Sequence, residues 1–109
     1  MNRDEIPPGT LYLLILKALV LRGELHGYEM AEFIESGSDD VLQVEEGSLY
    51  PALQRMLIKG WVTAKWGVTA GNRRARYYQL TAAGRRQLAA EISQFERVMG
   101  AIARVIQTA

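Results

Sequence analysis

Apolar and polar positions divide the chain into stretches of different period. Residues 11–21 are apolar almost all round (Leu11, Leu13, Leu14, Ile15, Leu16, Ala18, Leu19, Val20, Leu21), with Lys17 their one charge. A helix of that pattern is covered on more than one side. Thr10 is placed to cap it after an extended lead-in at residues 6–10. In a small chain the second cover is expected from a partner subunit, with a central core helix as the alternative. Residues 22–25 break the pattern, and His26 and Gly27 open a second helix to about residue 36. Gly27, Met30, Ala31 and Ile34 form its inward face, while Glu29, Glu32 and Glu35 are expected in water. Residues 36–40 read as a loop and residues 41–44 as a short strand.

Residues 45–60 read EEGSLYPALQRMLIKG, a third helix with a start and a stop. Ser48 is a natural N-cap, Pro51 is expected in the first turn, and Gly60 falls where a left-handed residue ends a helix. Leu49, Leu53, Met56 and Leu57 lie at i, i+4, i+7 and i+8, one apolar face. Tyr50, Gln54 and Arg55 lie off it. After Gly60 the period becomes two. Residues 61–66 form a strand, residues 67–72 are turn-rich, and Arg73, Arg74 and Arg76 lead into a return strand at residues 77–80. Thr81 caps a last helix from residue 82 to about 107. Its apolar positions Leu88, Ile92, Phe95, Met99, Ile102 and Ile106 are separated by 4, 3, 4, 3 and 4. That heptad seam, widened by Val98 and Val105, favours a partner helix and hence a homodimer.

Charge changes the picture more than composition does. The net charge is +1 over 109 residues, but its distribution is uneven. Residues 1–46 carry three basic side chains (Arg3, Lys17, Arg22) against ten acidic ones, a net of −7. Residues 47–90 carry eight basic side chains, Lys59 among them, and no Asp or Glu. Such a stretch is an electrostatic footprint for a polyanion. The length sets one domain with a single core. Without cysteine there is no disulfide, thiol nucleophile or Cys-based zinc site. One histidine, no Gly-rich phosphate loop and no paired carboxylates argue against an enzyme. His26 has no ligand-spaced companions and reads as a cap or packing residue, so no metal or cofactor is expected. The first five residues lack the basic start of a signal peptide, and residues 11–21 are too short to span a bilayer. A cytoplasmic location without membrane contact is the expectation.

Three helices followed by a basic hairpin is the order of a winged helix-turn-helix. The third helix can enter the major groove of double-stranded DNA, and an arginine-bearing wing can reach phosphates or the adjacent minor groove. Gln54 and Arg55 are of types that read adenine and guanine edges, and Ser48 and Tyr50 suit phosphates. The segments HGYEM, VEEGSLYPALQRM and NRRARYYQLTAAGRRQL, in that order between about Thr10 and Leu88, resemble the PadR family of bacterial transcriptional regulators. The resemblance implies a mainly α fold with a small β-hairpin (α+β). A winged helix-turn-helix domain would occupy residues 1–80 and a long C-terminal dimerisation helix residues 81–109. It implies a repressor binding a palindromic operator as a homodimer through a recognition helix at 48–59 and a wing at 67–77. The family's recognition-helix positions map onto Ser48, Leu49, Tyr50, Pro51, Gln54 and Arg55, and its wing positions onto Asn72, Arg73, Arg74 and Arg76. The short C-terminus is similar to the subgroup with a single dimerisation helix.

Some members of that subgroup bind flat aromatic or phenolic compounds at the dimer interface through a tryptophan of the last helix. No tryptophan stands there in this chain; Phe95 and Met99 occupy the seam, and plain coiled-coil core is the favoured reading over a small aromatic effector site. The rival to operator binding is a winged helix used only for protein–protein contact. Against it stand Arg73, Arg74 and Arg76 together on a wing that such a module does not need.

Overall fold

The computed structural model describes residues 4–7 and 9–109; Arg3, and Pro8 of the expected lead-in, lie outside them. The order is β1 (Asp4–Glu5), α1 (Leu11–Arg22), β2 (Glu24–His26), α2 (Gly27–Gly37), β3 (Leu42–Gln43), α3 (Glu46–Ile58), β4 (Val62–Val68), β5 (Arg74–Leu80) and α4 (Ala82–Gln107). The α+β architecture expected from the pattern is present, and the hairpin is larger than expected. Strands β4 and β5 pair antiparallel from Val62↔Leu80 to Val68↔Arg74, so Arg74 and Arg76 belong to the strand and not to the turn. β2, read as a mere break, joins β5 as a third antiparallel strand through Leu25↔Tyr78. β1 and β3 form a separate parallel pair.

α1 is the centre. Ile15, Leu16 and Leu19 of α1 are fully buried with Met30 of α2 and Leu49, Leu53 and Met56 of α3. Each contributes on the order of 1.5–3 kcal/mol of transfer free energy. Val62 and Tyr78 close the core from the sheet, and Leu88 from α4. The chain itself therefore covers α1 over Ile15, Leu16, Ala18 and Leu19, which favours the core-helix alternative for that part. At the root of the hairpin the even positions Val62, Ala64, Tyr78 and Leu80 face this core, as strand alternation requires, while Trp66, Val68 and Arg74 towards the tip are exposed.

Two caps differ from expectation. α3 starts at Glu46 with Glu45 as N-cap, whose carbonyl accepts from the N–H groups of Ser48 and Leu49. Ser48 is therefore inside the helix, and Pro51 is at its sixth position, where it removes one interior hydrogen bond. Glu46 in the first turn favours the helix dipole, which offsets the missing side-chain cap. Thr10 precedes α1 but its hydroxyl donates back to the Pro7 carbonyl at 2.7 Å. Of the three glutamates expected in water, Glu32 is exposed. Glu29 accepts from the His26 N–H, and Glu35 accepts from the Val44 N–H at 2.9 Å.

The end of α3 is as expected. Gly60 has φ +76° and donates to the Leu57 carbonyl, while Trp61 donates to that of Met56. This pair of bonds is the Schellman closure. Thr81 ties the root of α4 to the same point. Its hydroxyl donates to the Gly60 carbonyl at 2.6 Å and accepts from the Gly84 N–H at 3.1 Å. Gly84 lies so close that an added Cβ would overlap the Trp61 carbonyl oxygen.

Candidate nucleic-acid interface

Burying Leu49, Ala52, Leu53 and Met56 leaves the opposite side of α3 to solvent. At 3.6 residues per turn its outermost ridge is Gly47, Pro51, Gln54 and Ile58, at i, i+4, i+7 and i+11. All four are exposed. The two flanks carry different groups. Tyr50 lies on one, and its ring rests on the start of α2: a Cβ at Gly27 would stand 2.7 Å from the Tyr50 hydroxyl and 2.9 Å from Cε1. Glycine there is what lets the ring lie flat.

Ser48, Arg55 and Lys59 occupy the other flank, towards α1. Arg55 Nε donates to the Tyr12 hydroxyl at 2.6 Å, and its guanidinium stands 5.6 Å from the centre of the same ring. Tyr12 meets Trp61 edge to face at 5.3 Å, and Lys59 Nζ lies 5.2 Å from the Trp61 ring centre. Two cations are thus held by aromatic faces from α1 and from Trp61, just before β4. The terminal nitrogens of Arg55 remain for an anion, since the tie uses only Nε.

The wing has two unlike faces. Its tip closes as a turn from Thr69 to Asn72, with Asn72 left-handed at φ +62° and Thr69 N–H bonded to the Arg73 carbonyl at 2.8 Å. This is the three-residue hairpin loop, with asparagine where glycine often stands. On one face Arg74 stacks 4.4 Å from the Trp66 ring centre, and Arg76 lies 5.9 Å from that of Tyr78. On the other, Lys65 pairs with Glu24 at 3.0 Å. The acidic half of the chain neutralises that second face, whereas the Arg74 and Arg76 face meets aromatic rings. Burial pushes the Tyr78 phenol above its ordinary pKa, with nearby Arg76 opposing the shift. It stays neutral at ordinary pH.

Between this face and α2 runs a cleft of about 650 Å³, lined by Tyr28, Tyr50, Trp66, Arg73, Arg74 and Arg76 among others. The ten positions expected to meet DNA are therefore divided. Tyr50, Arg73, Arg74 and Arg76 share the cleft. Asn72 sits at the wing tip. Pro51 and Gln54 lie on the outer ridge. Ser48, Arg55 and Lys59 stand on the far flank. Sequence reasoning passed over Tyr12, Tyr28, Ile58 and Trp66. Trp66 was detectable, because it shares strand parity with Val62 and Ala64. Tyr12 was not, since it meets Arg55 across 43 residues.

His26 caps α2: its Nδ1 accepts from the Glu29 N–H at 3.4 Å and Glu29 Oε1 accepts from the His26 N–H at 3.1 Å. Among the described residues no group of three or more His, Cys, Asp or Glu side chains is placed to hold a metal ion. Nor is any helix there long and apolar enough to cross a membrane.

The seam of α4 also divides. Leu88 is 7% exposed and belongs to the core, and Ile92 packs against it partly buried, so the chain itself covers the first and part of the second. Phe95, Val98, Met99, Ile102, Val105 and Ile106 remain exposed, rising to 76% at Ile106. Phe95, Val98, Met99 and Ile102 line a groove of about 330 Å³ with Leu13 of α1.

Three helices, a third strand and a basic antiparallel hairpin define a winged helix-turn-helix of the transcriptional regulator class. Residues 15–90 match the model of the transcriptional regulator PadR-like family, and the chain belongs to that family. A transcriptional regulator from Clostridium thermocellum is similar at a TM-score of 0.82 and 24% identity, over 91% of this chain and 95% of that one. A PadR-like transcriptional regulator from Bacillus cereus gives 0.75 and 25%, over 93% and 95%. Bacillus subtilis PadR, solved in complex with operator DNA, gives 0.66 and 23%, over 76% of this chain and 46% of that one.

Proposed function

We propose that the chain acts as a homodimeric repressor that binds a two-fold symmetric operator in double-stranded DNA. The observation that carries the reading is the acid-free segment of residues 47–90, which contains both the outer ridge of α3 and the arginine face of the wing. α3 enters the major groove with Gln54 towards base edges, and Asn72 with Arg73 at the wing tip reaches phosphates or the minor groove. Arg74 and Arg76 in the cleft, and Arg55 and Lys59 on the far flank, hold phosphates on the two sides of the groove. The operator complex of Bacillus subtilis PadR supports the choice of ligand.

Residues 1–80 form the DNA-binding unit, and residues 81–109 join two such units. The root of α4, with Leu88, completes the core of the first unit, and the exposed stripe from Phe95 onward is the surface for the second copy. A small aromatic effector seated between α1 and α4 would act by changing how the two copies meet.

Selection of bound duplexes from a random DNA pool by the purified protein tests this. A two-fold symmetric enriched site is expected. Failure to enrich any sequence would turn the reading towards a protein-interaction module.

A further inference from the structure

The outer ridge of α3 ends in a side chain with no work in the fold. Ile58 is 85% exposed, above Ile106 at 76% on the uncovered seam. A lone exposed isoleucine is ordinary on a protein surface. This one stands four residues after Gln54 on the ridge opposite the buried face, within a segment that lacks any carboxylate. In the major groove the apolar feature of a base pair is the 5-methyl group of thymine.

We propose that Ile58 is a specificity-determining residue of the DNA interface that packs on a thymine methyl group. The inference rests on α3 as the groove-entering helix, the reading given above. Gln54 is of the type that pairs with the N6 and N7 edge of adenine. Four residues, about 6 Å, separate it from Ile58 along the axis. With base pairs about 3.4 Å apart, the thymine read by Ile58 lies one or two pairs from the adenine read by Gln54. The assignment makes α3 a reader of an A·T-containing step, with a polar contact and an apolar contact in succession.

The test uses the enriched duplex from the selection, resynthesised with deoxyuridine in place of thymine at one position per half-site. Uracil keeps the pairing edge and loses only the methyl group. Full-length protein and its Ile58→Ala and Ile58→Val variants are titrated by fluorescence anisotropy. At one thymine position the wild type is expected to lose about fourfold per half-site, and about fifteenfold when both are replaced. Ile58→Ala should bind thymine and uracil duplexes alike, near the wild-type affinity for the uracil duplex. Ile58→Val should keep most of the discrimination. The side chain is exposed, so unchanged melting of both variants is expected. A wild type indifferent to every uracil replacement overturns the proposal and leaves the operator reading standing. So does an Ile58→Ala variant that still discriminates. A wild type that binds no duplex overturns both.

Discussion

Replacing Tyr12 by phenylalanine isolates one contact that holds the far flank of α3. The hydroxyl accepts from Arg55 Nε at 2.6 Å, a short bond with a charged donor in a solvent-exposed setting. Such a bond contributes about 0.5–1.5 kcal/mol, and exposure favours the lower half of that range. The ring survives the change, so the edge-to-face contact with Trp61 and the guanidinium above the ring both remain. Loss of about 1 kcal/mol of stability, or about 4 °C in melting temperature, is therefore expected. Tyr12→Ala, which removes the half-buried ring as well, should cost more, about 2–3 kcal/mol.

The functional consequence is separable from the stability loss. Arg55 keeps its charge in Tyr12→Phe but loses its fixed direction. Affinity for operator DNA should fall about threefold to fivefold, the equivalent of one modest hydrogen bond. The slope of log affinity against log salt should stay unchanged. Arg55→Ala should instead lower that slope by about one per protomer. In a double-mutant cycle, Tyr12→Phe added to Arg55→Ala should do nothing further to affinity. Equal losses from Tyr12→Phe in the two backgrounds would refute the argument, because the tyrosine would then act by another route.

Other outcomes follow from the same geometry. Arg73→Glu with Arg74→Glu should weaken binding to all DNA sequences alike and reduce the salt slope by about two per protomer; an unchanged slope in titrations at several salt concentrations counts against the wing as a phosphate contact. Met99→Glu places a charge in the middle of the exposed α4 stripe, and sedimentation velocity should show monomers where the wild type shows dimers. Gly84→Ala would gain about 1 kcal/mol in an ordinary helix interior. Here the added methyl meets the Trp61 carbonyl, and calorimetry should show a loss of about 2 kcal/mol or more instead.

The helices were legible because each has one dominant period, and the family resemblance rested on segments at the starts of α2 and α3 and on a third that runs through β5 into α4. α1, α2 and α4 were found with ends close to those observed. The caps were harder. Ser48 and Pro51 suggest a helix start by residue type, yet the chain starts α3 two residues before Ser48, because Glu45 and Glu46 suit that end electrostatically. β2 was invisible for another reason. Glu24, Leu25 and His26 form too short a run to show alternation, and the partner strand that makes them a strand begins 48 residues after His26. The site was legible as a set of residue types but not as an arrangement. The sequence places Gln54 beside Arg55, but helical geometry sends one to the outer ridge and the other to α1. Leu88 and Ile92 continue the heptad of the seam in sequence, but the core is deep enough at the root of α4 to take them first.

The bond network around Thr81 has a mechanical consequence. Gly60, just past the end of α3, and Gly84, at the root of α4, are both bonded to one threonine hydroxyl, which ties the end of one helix to the start of the other. α4 is a lever about 39 Å long. In a dimer joined along its distal part, a hinge of about 5° between the two levers would change the separation of the two α3 helices by about 3 Å, close to one base-pair step. The protein would then work as a pair of calipers, in which the gap between the jaws is set at the far end of the arms. A small displacement around Phe95 and Met99 would decide whether both jaws close on the same face of one duplex.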